Sequence, residues 1–146
     1  MNVGILNVTG YAGAELARIL VRHPEVSITS VTGRSAAGQK LGEVFPHLAG
    51  LGLTITEEVA GELDFVFSAL GHKTSAERVL PFVEAALPVV DLSGDFRLKS
   101  AAEYMAWYGV EHPDPSRLKE AVYGLTELHR DELPGAKLVA NPGCYP

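Results

Sequence analysis

Cysteine is nearly absent from this chain: Cys144 is the only one in 146 residues. One thiol cannot close an internal disulfide, which points to a reducing compartment, the cytoplasm. Apolar runs of the ~18 residues that a membrane-spanning helix needs are missing too. The first residues, Met1-Asn2-Val3-Gly4, lack the basic start and apolar stretch of a secretory signal. Basic residues are in the minority, 12 against 18 acidic ones, for a net charge of −6 and a pI near 5.3. Phosphate backbones demand a basic face, so nucleic acid is excluded as a partner, as is a membrane. No internal repeat or low-complexity segment occurs. What remains is ordinary for a globular protein, 47% apolar and 21% charged residues, with enough chain to bury one domain's core.

The apolar pattern alternates between two periods. Residues 2–8 are short and mostly apolar, as a strand covered on both faces should be. Residues 14–23 carry Leu16, Ala17, Ile19, Leu20 and Val21 at helical spacing, and Pro24 stops them. Residues 26–32 are β-branched and extended, which completes a strand–helix–strand crossover. Residues 33–52 hold five glycines with no period and are expected to be mostly loop, with a short strand at 53–56. Further strands are expected at 63–70, 87–92 and 136–140, and helices at 74–86, 101–108 and 126–133. Alternation of this kind predicts an α/β fold, a Rossmann-type, doubly wound, mostly parallel sheet with helices on both faces.

Ligands of such sheets bind outside the carboxyl ends of the strands. The first such end reads Asn7-Val8-Thr9-Gly10-Tyr11-Ala12-Gly13. Gly10 lets backbone approach a pyrophosphate, Gly13 lets the helix pack closely, and the helix N-terminus supplies donors. This is GxxGxxG spacing with Asn7 in the first glycine's place, and Asn tolerates positive φ better than other side chains. A turn whose glycines serve packing alone has the same spacing. At the end of the second strand, where an NAD site carries a carboxylate for the ribose 2′-hydroxyl, the chain reads Thr32-Gly33-Arg34-Ser35. A guanidinium suits a 2′-phosphate, so NADP is the expected cofactor, held by Thr9, Gly10, Tyr11, Ala12, Gly13, Arg34 and Ser35. Ser68, at the end of the strong third strand, is a further candidate cofactor contact.

Cys144 follows the last strand in the turn Asn141-Pro142-Gly143, again at a carboxyl edge, near the expected nicotinamide. A helix starting here would favour the thiolate. Thiolate beside nicotinamide points to attack on an activated acyl group, then reduction of the thioester by hydride. The loop Asp91-Leu92-Ser93-Gly94-Asp95-Phe96-Arg97 leaves another strand end. Arg97 is a candidate contact to an anionic substrate, with a salt bridge to Asp91 or Asp95 as the alternative role. Asn141 can donate to the substrate or stabilise its own turn. No set of metal ligands is expected from Asp91 and Asp95. Of the five histidines, His72 alone stands at a strand end and is a reserve candidate base; the others, including His112, are expected on polar surface or beside prolines. Tyr104, Trp107 and Tyr108, at helical spacing, are expected to pack.

The blocks "TGYAGAEL" (9–16), "GRSAAGQKLGEVFPHL" (33–48), "DLSGDFRL" (91–98), "WYGVEHP" (107–113), "AVYGLTEL" (121–128) and "LVANPGCYP" (138–146) occur in this order. Together they resemble the N-acetyl-γ-glutamyl-phosphate reductase family, related to aspartate-semialdehyde dehydrogenase, over nearly the whole chain. The resemblance implies NADPH-dependent reduction of a small-molecule acyl-phosphate to a semialdehyde with release of phosphate, in arginine biosynthesis. It makes Cys144 the nucleophile, Gly10 to Gly13 the pyrophosphate loop and Arg34-Ser35 the 2′-phosphate region. It also implies an acid/base histidine and a substrate and dimerisation domain beyond residues 1–146, which form the cofactor-binding domain of a homo-oligomer. Reduction of carrier-protein-bound aminoadipyl or glutamyl phosphates in lysine or arginine biosynthesis shares this mechanism. A non-catalytic NADP-binding module shares the fold.

Overall fold

Val3, Ile5 and Leu6 of strand β1 (Asn2–Leu6) are buried, which fits the unbroken apolar run that a strand covered on both faces needs. The computed structural model describes residues 1–146, which divide into two compact units, Met1–Ala69 and Leu70–Pro146. In the first, β1 is followed by helix α1 (Tyr11–Leu20), strand β2 (Ser27–Val31), helix α2 (Leu41–Val44) and strand β3 (Phe65–Ser68). β1 pairs in parallel with β2 on one side and β3 on the other, with Ile5 opposite both Val31 and Phe67. Ala17 and Leu20 of α1 pack with Val3, Ile5, Val8, Ile28 and Val31 in one apolar cluster.

α1 begins three residues earlier than the apolar period predicts. Extended backbone at Gly10 opens it, and the Ala14 amide closes the first turn on the Gly10 carbonyl at 2.9 Å. Residues 33–52 are more ordered than their glycines suggest. Short 3₁₀ turns at Arg34–Ala36 and Pro46–Leu51 flank α2, and Ala36, Leu41 and Leu48 anchor them in the cluster. Residues 53–56 form two isolated bridges, Lys40 with Thr54 and Thr32 with Thr56, in place of the expected strand.

The second unit runs through α3 (Thr74–Glu84), strand β4 (Val89–Asp91), α4 (Ala101–Tyr108), α5 (Arg117–Glu120), strand β5 (Val122–Tyr123), α6 (Thr126–His129) and strand β6 (Leu138–Ala140). β6 pairs in parallel with β4 and with β5. All the strand pairs within both units are parallel, the mark of a Rossmann-type α/β fold. α5 and β5 lie where no element was expected, since four and two residues are too few to show a period. The helix expected at 126–133 ends at His129 and continues as a 3₁₀ turn, Arg130–Glu132.

Two carboxylates organise this unit from inside. Asp95, fully buried, accepts hydrogen bonds from the amides of Lys73 and Ala76, each at 3.0 Å, and from the Tyr104 hydroxyl at 2.9 Å. It thereby caps α3, whose N-cap Lys73 sits at φ 69° with no cap of its own. Asp91, also fully buried, accepts from both hydroxyls of Ser75 and Ser93, at 2.5 and 2.6 Å, and from the Ser93 amide at 3.0 Å. Burial holds its carboxyl above the ordinary range, against the pull of those donors.

His112, the histidine beside Pro113, is buried as a structural residue, edge-on to Phe96 and Tyr104 at 5.0 and 4.9 Å. Trp107 departs from the packing expected for it. Trp107 is 80% exposed, because α4 turns Tyr104 inward and leaves the Trp107 ring outside. Burial lowers the His112 imidazole's affinity for a proton, with the Asp114 amide donating to its Nδ1 at 3.1 Å. A histidine depressed in the folded state adds stability above its unfolded pKa, and that stability is lost as pH falls through the folded value. Urea midpoints should therefore drop as pH falls below the ordinary histidine value of 6.5, and drop less in His112→Phe; equal slopes for the two proteins would remove His112 as the cause.

Candidate cofactor and nucleophile sites

The end of β1 in the first unit is shaped by two glycines. A Cβ on Gly13 would stand 2.2 Å from the Asn7 carbonyl oxygen and 2.8 Å from the Val8 Cα, so only glycine lets α1 start this close to the strand. A Cβ on Gly10 would stand 2.9 Å from the Asn7 side-chain nitrogen. The Gly10 amide is satisfied by the Asn7 carbonyl at 3.2 Å and the Ala14 amide by Gly10. Between them Tyr11, Ala12 and Gly13 form the first turn of a ten-residue helix, where backbone amides have no acceptor within the helix. Gly10 supplies no side chain to cap them. Three donors and the positive end of a helix dipole therefore converge on one place, which is the chemistry of anion binding.

Around this turn the structure adds a cavity of about 300 Å³ lined by Thr9, Gly10, Tyr11, Arg18, Phe45 and His47 among others. Tyr11 is fully exposed at its rim, and Phe45 meets His47 edge-on at 6.0 Å. His47, beside Pro46, was expected only as a structural or surface histidine, and Phe45 was not singled out; the 3₁₀ turn Pro46–Leu51, which Phe45 precedes, lies in a stretch expected to be mostly loop. Arg34 and Ser35 are exposed on the turn directly after β2, the place a ribose 2′-substituent requires in this fold. Gly33 packs there against Thr9, whose Cγ2 would lie 2.5 Å from an added Cβ. Ser68 differs from expectation. None of its surface is accessible, because it ends β3 inside the fold, so its hydroxyl is not presented to a ligand.

In the second unit Arg97 takes neither of the acidic partners considered for it. Its Nε donates to the Asn141 carbonyl at 2.8 Å and its Nη2 to the Leu92 carbonyl at 2.9 Å. Asp91 and Asp95 are already occupied by their own donors, which explains why no salt bridge forms. Arg97 thus ties the loop after β4 to the turn after β6, and its Nη1 lies 3.2 Å from where a Gly143 Cβ would be. Asn141 donates its side-chain amide to the Pro142 carbonyl at 3.0 Å, and its own amide bonds the Asp91 carbonyl at 2.8 Å. This bonding favours the turn-stabilising role for Asn141. Cys144 is exposed just past this braced turn, and residues 141–146 contain a bend but no helical turn. His72 accepts from the Gly94 amide on Nδ1 at 2.8 Å and stacks on Tyr108 at 5.1 Å, which leaves only Nε2 for any other partner.

Parallel strands, a glycine-shaped turn and an uncapped helix start define a dinucleotide-binding protein of the Rossmann type. The chain belongs to the semialdehyde dehydrogenase, NAD binding domain family, which matches residues 2–136. It is 60% identical to an N-acetyl-gamma-glutamyl-phosphate reductase of Dehalococcoides mccartyi over 143 residues, 98% of this chain and 42% of the relative. A protein of the same name from Magnetococcus marinus is 46% identical over 151 residues, covering 100% of this chain and 43% of the relative. The chain thus spans about two-fifths of the length of the curated relatives it matches. Among solved structures, aspartate semialdehyde dehydrogenase with NADP from Candida albicans aligns with a TM-score of 0.59 at 24% identity, over 77% of this chain and 40% of that one. The enzyme of the same name from Francisella tularensis aligns at 0.63 and 15% identity, over 97% and 36%. These two likenesses show the fold. No helix is long and apolar enough to cross a membrane.

Gly13→Ala puts a methyl group against backbone that cannot swing away. It should destabilise the protein by about 1–3 kcal/mol in urea unfolding, a cost typical of forced overpacking; a variant as stable as the wild type would mean that the helix start can retreat.

Proposed function

We propose that this chain is the cofactor-binding portion of an NADP-dependent N-acetyl-γ-glutamyl-phosphate reductase, and that Cys144 is its nucleophile. The observation that carries the reading is the 60% identity to a reductase of that name along 98% of this chain. The loop geometry supports it independently, since the Gly10–Gly13 turn leaves room and donors for a pyrophosphate. The whole protein would act in the cytoplasm as a homo-oligomer, with a substrate domain beyond residues 1–146.

The bound dinucleotide supplies hydride. Every other task falls to side chains and backbone. The amides of Tyr11, Ala12 and Gly13 hold the pyrophosphate at the start of α1. Arg34, with Ser35 beside it, takes the 2′-phosphate through a charge-assisted, two-pronged contact. The Cys144 thiolate attacks the acyl carbon of the substrate, a C–S bond forms, and the C–O bond to phosphate breaks with inorganic phosphate leaving. Hydride from the dinucleotide, when bound, would turn the thioester into the alkoxide of a thiohemiacetal, whose collapse forms the aldehyde C=O, breaks the C–S bond and returns Cys144 as the thiolate. Arg97 keeps the turn before Cys144 at a fixed height through the Asn141 carbonyl, and its Nη1 beside Gly143 offers a positive edge to the departing phosphate.

Two measurements test this. In the whole protein, assayed in reverse with N-acetylglutamate semialdehyde, phosphate and NADP, Cys144→Ser should cut the rate roughly 10³-fold or more. A variant at full rate ends the thioester mechanism. Arg34→Glu should weaken NADPH binding by roughly tenfold or more while sparing NADH, because only the former carries the 2′-phosphate; unchanged NADPH affinity would reassign that phosphate to another group.

A further inference from the structure

We infer that Asn7 is a positioning residue for the pyrophosphate loop, and that it does what a glycine at this place cannot. The inference rests on the reading of this loop as the NADP site. A loop of GxxGxxG spacing needs its first glycine for a tight turn. Asn7 makes the turn at φ 63° and adds bonds that a hydrogen side chain lacks. Its Nδ2 donates to the carbonyl of Ala69, the residue directly after β3, at 2.9 Å. That partner is an acceptor only, which fixes the amide orientation with nitrogen toward Ala69. Its backbone amide donates to Oγ1 of Thr32, the residue directly after β2, at 3.1 Å. The remaining oxygen, Oδ1, accepts a long bond from the Thr9 hydroxyl at 3.4 Å.

One residue at the end of β1 therefore ties down the ends of both neighbouring strands. It also forms the surface on which the loop rests. The Asn7 carbonyl receives the Gly10 amide, and Nδ2 lies where a Gly10 Cβ would otherwise point. The height of Gly10 and the start of α1, and with them the three convergent amides, are referenced to all three strand ends. A glycine at position 7 would make the turn and keep the backbone bond to Thr32 Oγ1, but it would leave the Ala69 carbonyl and the Thr9 hydroxyl without this partner, and the loop without its side-chain tie to the end of β3.

The test uses the full chain and two probes, NADPH and adenosine 2′-monophosphate, which has the 2′-phosphate but no pyrophosphate. Asn7→Gly should weaken NADPH about tenfold, the scale of one or two lost hydrogen bonds. It should leave adenosine 2′-monophosphate within about twofold, since that probe depends on Arg34 and not on the loop. NADPH affinity equal to or tighter than wild type overturns the inference. So does equal weakening of both probes, because a residue that merely holds the unit together would affect them alike. If Asn7→Gly is recovered unfolded by circular dichroism, Asn7→Ser, whose shorter side chain lacks the Nδ2 donor to the Ala69 carbonyl, must show the same split. Wild-type protein that binds neither probe would sink the cofactor reading itself, an outcome separate from any result on the variants.

Discussion

The first unit depends on one close approach, that of helix α1 to the end of strand β1. Gly13 stands where any side chain would collide with the Asn7 carbonyl, so its lack of one lets the helix begin four residues after the turn residue Asn7. That distance sets several other features. It directs the first-turn amides to a point just beyond the strand end. It lets Ala17 and Leu20 reach the apolar cluster. Gly10, at the cap position, has no side chain to offer, so the first-turn amides find no partner in the cap and stay available to an anion. Close packing at Gly13 and open donors at Gly10 both come from missing side chains at this one turn.

The second unit meets a different constraint. Short strands of two or three residues offer few ladder bonds, and the missing order comes from buried carboxylates. Asp95 replaces the absent cap of α3 and holds Tyr104, while Asp91 gathers Ser75 and Ser93 at the end of β4. Each is fully buried and surrounded by donors, the condition under which a buried acid organises a fold instead of weakening it. The loop that these two carboxylates hold can then project Arg97, two residues after Asp95, toward the turn that precedes Cys144.

The sequence made the parallel architecture legible because apolar runs and helical periods alternate cleanly over residues 2–32 and 63–92. It located the glycine turn and the Arg34-Ser35 turn, since both follow directly from strand ends. Helix α1's true start was hidden, because Tyr11, Ala12 and Gly13 look like loop until the packing of Gly13 is known. The 3₁₀ turns around α2 were hidden for the same reason: single buried anchors such as Leu41 and Leu48 carry no period. Arg97 was recognised as important, but its partners are backbone carbonyls, which no side-chain pattern announces. Ser68 illustrates the converse, a polar residue at a strand end that turns inward.

Arg97's choice of acceptors has a consequence for how this turn can change over generations. Because the guanidinium grips main-chain oxygens of Leu92 and Asn141, the tie is indifferent to which side chains those positions carry. Mutation at either can alter the chemistry of the surface without releasing the brace, provided the backbone keeps its course. The burden of inheritance falls on Arg97 and on Gly143, whose bare α-carbon leaves room for the guanidinium edge. Such an arrangement allows residues near Cys144 to vary while the scaffold that presents it stays fixed.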